Sequence, residues 1–336
     1  MNDGARERDG CPGSGIAPSG CPVCHDDIRP DGGVDYRHRV IAHVPPWGGL
    51  TVADVILNNL SLGLFLVAFP AAMLRPELFA AALPVAFVLS WLILMADLVL
   101  LIFDLGSPLR FHHMLRTVRP LSPMWVGVWG LSFSAFFMTF PALWGLIALL
   151  VRAGVLPASL RETLVPFFQT HAVEAWLVGL AFFGMLPVMV GLCYKGVLFS
   201  ATSRPMWKFA RWFPAYLTSG AVLLGAVVLF GIGLLAGVEA RPLLPAMIPL
   251  LLLDMLFLEG HLIPLFRQRR RTVEIGHGAA VLDGAAALCF LASLYRPLAA
   301  LSPLGVACAL LAVALGRYAF VMDRPPLTIH ERESLV

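Results

Sequence analysis

The sequence predicts an all-α integral membrane protein of eight transmembrane helices. Three observations carry that expectation: composition, the length of the apolar stretches, and the placement of the ionisable residues inside them. With 59% hydrophobic residues, 13% charged residues and a mean hydropathy of +0.81 over 336 residues, the chain is too apolar for a soluble domain of its size. Eight apolar stretches lie between Thr51 and Val321, each near the roughly 20 residues a helix needs to cross the hydrocarbon. Barrel strands would show strict alternation over about ten residues, and these stretches show none. Nearly every ionisable residue within them falls toward one of the two membrane faces.

In order, the spans are read at 52–74, 78–103, 124–151, 172–198, 213–235, 243–266, 278–295 and 301–321. Pro70, Pro84, Pro141, Pro187 and Pro249 fall inside them. In a membrane helix, neighbouring helices and local adjustments re-satisfy the backbone groups a proline frees, so these mark kinks and not breaks. An even number of spans puts both termini on one face, here face A, with the loops 104–123, 199–212 and 267–277. Those loops carry Arg110, Arg116 and Arg119, then Arg204, Lys208 and Arg211, then Arg267, Arg269, Arg270 and Arg271; the opposite face B offers Arg75, Arg152, Arg161, Arg241 and Arg296. By the positive-inside rule face A is cytoplasmic; alternatively, the same loops dock an acidic partner. The net charge of +3 is too small to imply nucleic acid, and no interleaving of aromatic and basic residues supports one.

Three regions follow: a polar tail over 1–45, the membrane domain over 46–325, and a short tail over 326–336. The first tail has no apolar run, so it is no signal peptide, and it is too polar to bury a core. Within it, Cys21, Pro22, Val23, Cys24 and His25 match the C-x-x-C-H pattern of covalent haem attachment, in which the His becomes an axial ligand. Cys11 upstream makes a Cys, Cys, Cys, His zinc or iron–sulfur site equally compatible, and a solvated tail without metal is the third reading. Haem attachment requires the tail to be outside, and the arginine count places it inside. The expectation is therefore no covalent haem. Cys193, Cys289 and Cys308 lie singly in spans and read as small apolar residues.

An ionisable residue within a span needs a partner or a water-filled cavity. Asp54 and Asn58, one turn apart in the first span, face one direction, whereas Asn59 points roughly a hundred degrees away. Asp97 and Asp104 share a stripe of the second span, and Asp254 and His261 repeat that spacing in the sixth, with Glu259 nearby on another face. Because odd spans begin and even spans end at face A, all of these lie in its half of the membrane. Tyr194, Lys195, Asp283 and Arg317 join them, while His171 and Glu174 read as interfacial residues of face B. Residues near a span end, such as Asp104, Lys195, His261 and Arg317, also suit capping or headgroup contact, and Asp97, Asp254 and Asn58 also suit structural pairing. Together, carboxylates, an imidazole, a phenol and amides near one face suit hydrogen bonding to a quinone's carbonyls and proton acceptance.

The run Asp104-Leu105-Gly106-Ser107-Pro108-Leu109-Arg110-Phe111, then His113-Met114-Leu115, then Ser122-Pro123-Met124 with Gly127 and Trp129, resembles the signature of the polysulfide reductase membrane-subunit family, NrfD/PsrC. Further similarity lies at Tyr194 and Gly196, at Pro205 and Trp207, at Pro214, Ser219, Gly220 and Gly225, at Asp254 and Glu259, and at Gly316-Arg317-Tyr318. The resemblance covers about residues 48–325; Lys195 departs from it, standing where the family more often has a small polar residue.

The resemblance implies two four-helix bundles in a prokaryotic plasma membrane, exchanging electrons with menaquinone or ubiquinone. It implies a four-cluster iron–sulfur partner docked at the quinone pole, passing electrons to a catalytic subunit or a cytochrome. With the family in view, the quinone-site candidates are Asn58, Asn59, Asp104, His112 and Tyr194, and the proton-path candidates are Asp97, Asp254 and Glu259. No resident redox group is expected: no span offers the paired histidines of a b-type haem, since His112 and His113 are adjacent in a loop. The family's iron–sulfur partner is commonly outside, whereas the arginines put face A inside; both orientations stay open. Two other classes use the same polar residues: a proton-conducting or solute-transporting bundle, for which no internal repeat is visible, and a purely structural membrane anchor.

Overall fold

The protein is described by a computed structural model covering residues 48–104, 116, 118, 122–168, 171–200, 213–238, 240–262 and 271–322. Among these residues are eight helices long and apolar enough to cross a membrane, and no strand. They are α1 (Gly49–Leu74), α2 (Leu83–Asp104), α3 (Pro123–Arg152), α4 (His171–Ser200), α5 (Phe213–Leu235), α6 (Leu244–Leu262), α7 (Arg271–Ser293) and α8 (Ser302–Val321). Helices are the form in which a spanning segment satisfies its backbone hydrogen bonds internally.

Two boundaries differ from the sequence expectation. The second span was expected from residue 78, but Pro76–Phe79 forms a separate short helix and α2 begins only at Leu83. Arg152 fixes this corner from the end of α3, donating to the carbonyls of Ala80 at 2.8 Å and Ala81 at 3.2 Å. Pro84 thereby falls in the first turn of α2, where its missing N–H costs no helical bond. The seventh span was expected from residue 278, yet α7 begins at Arg271. Its first two turns carry Thr272, Glu274 and His277, polar residues that end an apolar run without ending a helix.

The helices close into two rings of four. In the first, α1 packs on α2, α2 on α3, α3 on α4 and α4 back on α1; in the second, α5, α6, α7 and α8 repeat that order. The rings meet where α1 lies against α5. Small residues allow that approach: a Cβ at Gly63 would overlap the Ala221 carbonyl, and one at Gly225 would overlap the Gly63 carbonyl. Backbone thus touches backbone, the packing that small residues give membrane helices. Buried aromatics fill both rings, with Phe65, Phe69 and Phe87 in the first and Phe230 against Phe290 in the second. Phe213 and Phe320 stack at 3.6 Å between ring centroids near the other end of the second ring. On the outside, α3 and α4 expose Phe133, Phe136, Trp176, Phe182, Phe183 and Leu186, as suits a surface solvated by lipid.

Candidate functional site: two buried charge clusters

Each ring encloses a cluster of charged side chains. In the first ring Lys195 of α4 sits between two carboxylates. Its Nζ is 2.9 Å from Asp54 Oδ1 and 3.6 Å from Asp97 Oδ1, and it also donates to the backbone carbonyl of Asp54 at 2.9 Å. Asn58, one turn beyond Asp54, donates from Nδ2 to Asp97 Oδ2 at 3.2 Å. The four side chains are almost wholly withdrawn from the surface. Placing a single charge there would be costly, and the mutual pairing offsets that cost. These contacts join the start of α1 to the ends of α2 and α4, which puts those three ends on one side of the membrane.

Tyr194 precedes Lys195 and is buried against α3. The room for its ring comes from Gly127, where a Cβ would overlap the ring carbons. Asn59 turns away from this cluster. It shares a stripe with Gly63, the residue that meets α5, and neither its amide nitrogen nor its oxygen has a hydrogen-bond partner among the described residues.

In the second ring the cation is Arg317 of α8, with no exposed surface. Its Nη2 is 3.8 Å from Asp254 Oδ1 on α6 and donates to the Tyr216 carbonyl on α5 at 3.3 Å. The guanidinium also lies over the Tyr216 ring, 3.9 Å from its centroid, a favourable arrangement once both groups are desolvated. Gly220 leaves the space for this: a Cβ there would overlap Arg317 Nη2 and come within 2.7 Å of Asp254 Oδ1. Asp283 of α7 is buried within electrostatic reach of both Asp254 and Arg317. Nearer the helix ends, Glu259 of α6 and His277 of α7 pair at 2.8 Å, each partly exposed.

The sequence candidates therefore divide. Asn58 and Asp97 meet in the first cluster with Tyr194 beside them, Asn59 faces the seam, and Asp254 belongs to the second cluster with Glu259 one to two turns away. Asp104 ends α2, but its side chain and that of His261 lie outside the described residues, as do the side chains of His171 and Glu174. His112, Cys11, Cys21, Cys24 and His25 also lie outside them. Sequence reading offered Lys195 and Arg317 only as capping or headgroup residues and gave Asp283 no specific role, although a cation in each fourth helix opposite an aspartate in each second helix was a readable signal.

Residues 40–322 match the family described as Polysulphide reductase, NrfD, a span that includes all eight helices. The chain belongs to the NrfD family. No curated protein matches it. Several of the positions that resemble the NrfD signature prove to be close approaches in this NrfD chain. Gly196 faces Pro214 with 2.5 Å left for a Cβ, Gly220 faces the Arg317 ion pair, Gly225 faces Gly63, and a Cβ at Gly316 would lie 2.7 Å from the Tyr216 hydroxyl. Arg317 and Asp254, two more such positions, pair with each other. The NrfD chain is thus a multi-pass membrane subunit in which Gly196, Gly220, Gly225, Gly316, Arg317 and Asp254, among the described signature positions, line a helix seam or a buried charge.

Proposed function

We propose that this NrfD-family protein is the quinone-interacting membrane subunit of an oxidoreductase complex in a prokaryotic plasma membrane. It passes electrons between membrane quinone or quinol and a docked four-cluster iron–sulfur subunit, which connects to a catalytic subunit or a cytochrome. The observation that carries the reading is the first cluster: a cation, two carboxylates and an amide enclosed near one membrane face, with Tyr194 alongside. Oxidation of a quinol releases two electrons and two protons, so its site needs donors for the quinone carbonyls and acceptors for the protons. Lys195, Asn58 and Tyr194 supply donors; Asp54 and Asp97 supply acceptors held in a low-dielectric setting. The Oδ1 atom of Asn58 has no hydrogen-bond partner among the described residues, which fits a site that takes a further group.

In this reading Asp97 receives a proton inside the ring and Asp104, two helical turns further along the same stripe of α2, hands it toward the face. Tyr194→Phe and Asp104→Asn should each lower quinone turnover by on the order of tenfold or more while assembly of the complex is retained, as measured by quinone-analogue reduction and by copurification of subunits. Normal turnover in both variants would reject this site. Loss of assembly in both would favour a structural anchor instead.

A further inference from the structure

On the side of the membrane opposite the first charge cluster lies a helix that belongs to neither ring. Ala158–Phe168 connects the end of α3 to the start of α4; because α4 ends at the cluster's side, this connection lies at the other. With 11 residues it is about 16 Å long, close to half of what the roughly 30 Å hydrocarbon layer requires. The chain turns into it through Gly154, whose φ of 68° is left-handed, and the Val155 N–H donates back to the Leu150 carbonyl at 3.2 Å. That arrangement closes α3 and frees the following segment from its axis.

The connecting helix is two-sided. Leu160, Leu164 and Phe167 follow the spacing of one helical stripe, while Ser159, Glu162, Thr163 and Pro166 follow that of another. The protein covers the apolar stripe only in part: Leu160 is 49% exposed and Phe167 56%. This surface is continuous with the lipid-facing side of α4, on which the helix packs and where Trp176, Phe182 and Phe183 are exposed. Pro166 gives an independent observation. Having no N–H, it leaves the carbonyl of Glu162, on the polar side, without its usual helical donor; water satisfies such a carbonyl, and hydrocarbon does not. Arg161 and Glu162, both exposed, cancel in charge.

We propose that Ala158–Phe168 lies along the bilayer interface, with Leu160, Leu164 and Phe167 among the acyl chains and Ser159, Glu162 and Thr163 in water. Its partner is the phospholipid surface, held by apolar contact and not by headgroup charge. Arg161, at the edge of the stripe, lays its stem along the apolar surface and reaches the phosphates with its guanidinium. In that position the helix sets the depth of α3 and α4 in the membrane. Neither quinone nor a partner subunit enters into this contact.

Photolabelling of the full-length protein in phosphatidylcholine nanodiscs tests it, using a phospholipid with a carbene-generating aryl diazirine on its acyl chain and mass spectrometry to map the adducts. Adducts should appear at Leu160, Leu164 or Phe167 and not at Ser159, Glu162 or Thr163, while a water-soluble carbodiimide and amine should modify Glu162. Phe182 and Phe183 serve as the internal standard for lipid contact. Lipid adducts on those two with none on the connecting helix would overturn the proposal: with Glu162 modified the helix stands in water, and with Glu162 protected a protein covers it. Leu160→Asp combined with Phe167→Asp should abolish the adducts on the helix and spare those on α4; if that variant does not assemble, Leu160→Asp alone should lower them several-fold. Persistence at the native level would overturn the proposal equally. Exchanging part of the phosphatidylcholine for phosphatidylglycerol should change the labelling by less than about twofold, and a several-fold rise would make headgroup charge the basis of recognition and reject apolar contact.

Discussion

At the scale of single residues, the glycines decide where charge can be enclosed. Gly220 is the sharpest case, because the volume its missing Cβ leaves is filled by Arg317 Nη2 and Asp254 Oδ1. Gly220→Ala should push the pair apart and destabilise the protein by about 1–3 kcal/mol, read as a lower unfolding temperature in detergent. Gly278→Ala, with nothing near the new methyl, should leave that temperature within error. The sequence displayed the carboxylates and cations of both clusters but not their pairing. Asp54 and Lys195 are 141 residues apart, and nothing local to either says which helices will adjoin. The role of Lys195 was hidden for a further reason: near a helix end, a lysine that reaches headgroups and one that closes a buried cluster occupy the same sequence position.

At the scale of elements, the seam between α1 and α5 is the contact on which the two rings depend. Backbone meets backbone at Gly63, Ala221 and Gly225, so a side chain added there has no flexible neighbour to displace. Gly225→Val should separate the rings and reduce the yield of folded protein in the membrane several-fold, measured by fluorescence-detected size exclusion. Gly231→Ala lies on the same helix two turns away, where a Cβ would sit 3.7 Å from Val306, and it should be tolerated. Span lengths were legible because hydropathy reports them directly, and six of the eight spans agree with the sequence reading to within three residues at their starts, the second and seventh being the exceptions. The start of α7 was not, since Glu274 and His277 interrupt the apolar run while their helix continues, with His277 turned to Glu259 on α6. Neither was the seam: buried and lipid-facing sides of these helices are similarly apolar, so no stripe announces which side meets a neighbour.

At the scale of the whole molecule, the two four-helix bundles were expected only from the family resemblance, because beyond the aspartate of each second helix and the cation of each fourth the halves share little; lysine stands for arginine, and α1 supplies an aspartate where α5 supplies a tyrosine. What repeats is the placement of charge. The structure also sets a timetable for synthesis. α1 is made before the other seven described spanning helices, yet it packs on four of them, α2 and α4 in its own ring and α5 and α8 in the other. Asp54 therefore reaches the bilayer well before its cation exists: at about 5–20 residues per second, the 141 residues up to Lys195 take roughly 7–28 seconds. Throughout that interval the aspartate lacks the cation it pairs with in the folded protein. A chain truncated after α3 should consequently be cleared from the membrane faster than one truncated after α4, in a pulse-chase measurement, and Asp54→Asn should narrow the gap. The residue that anchors the finished cluster is thus, for the first part of its life, a mark for quality control.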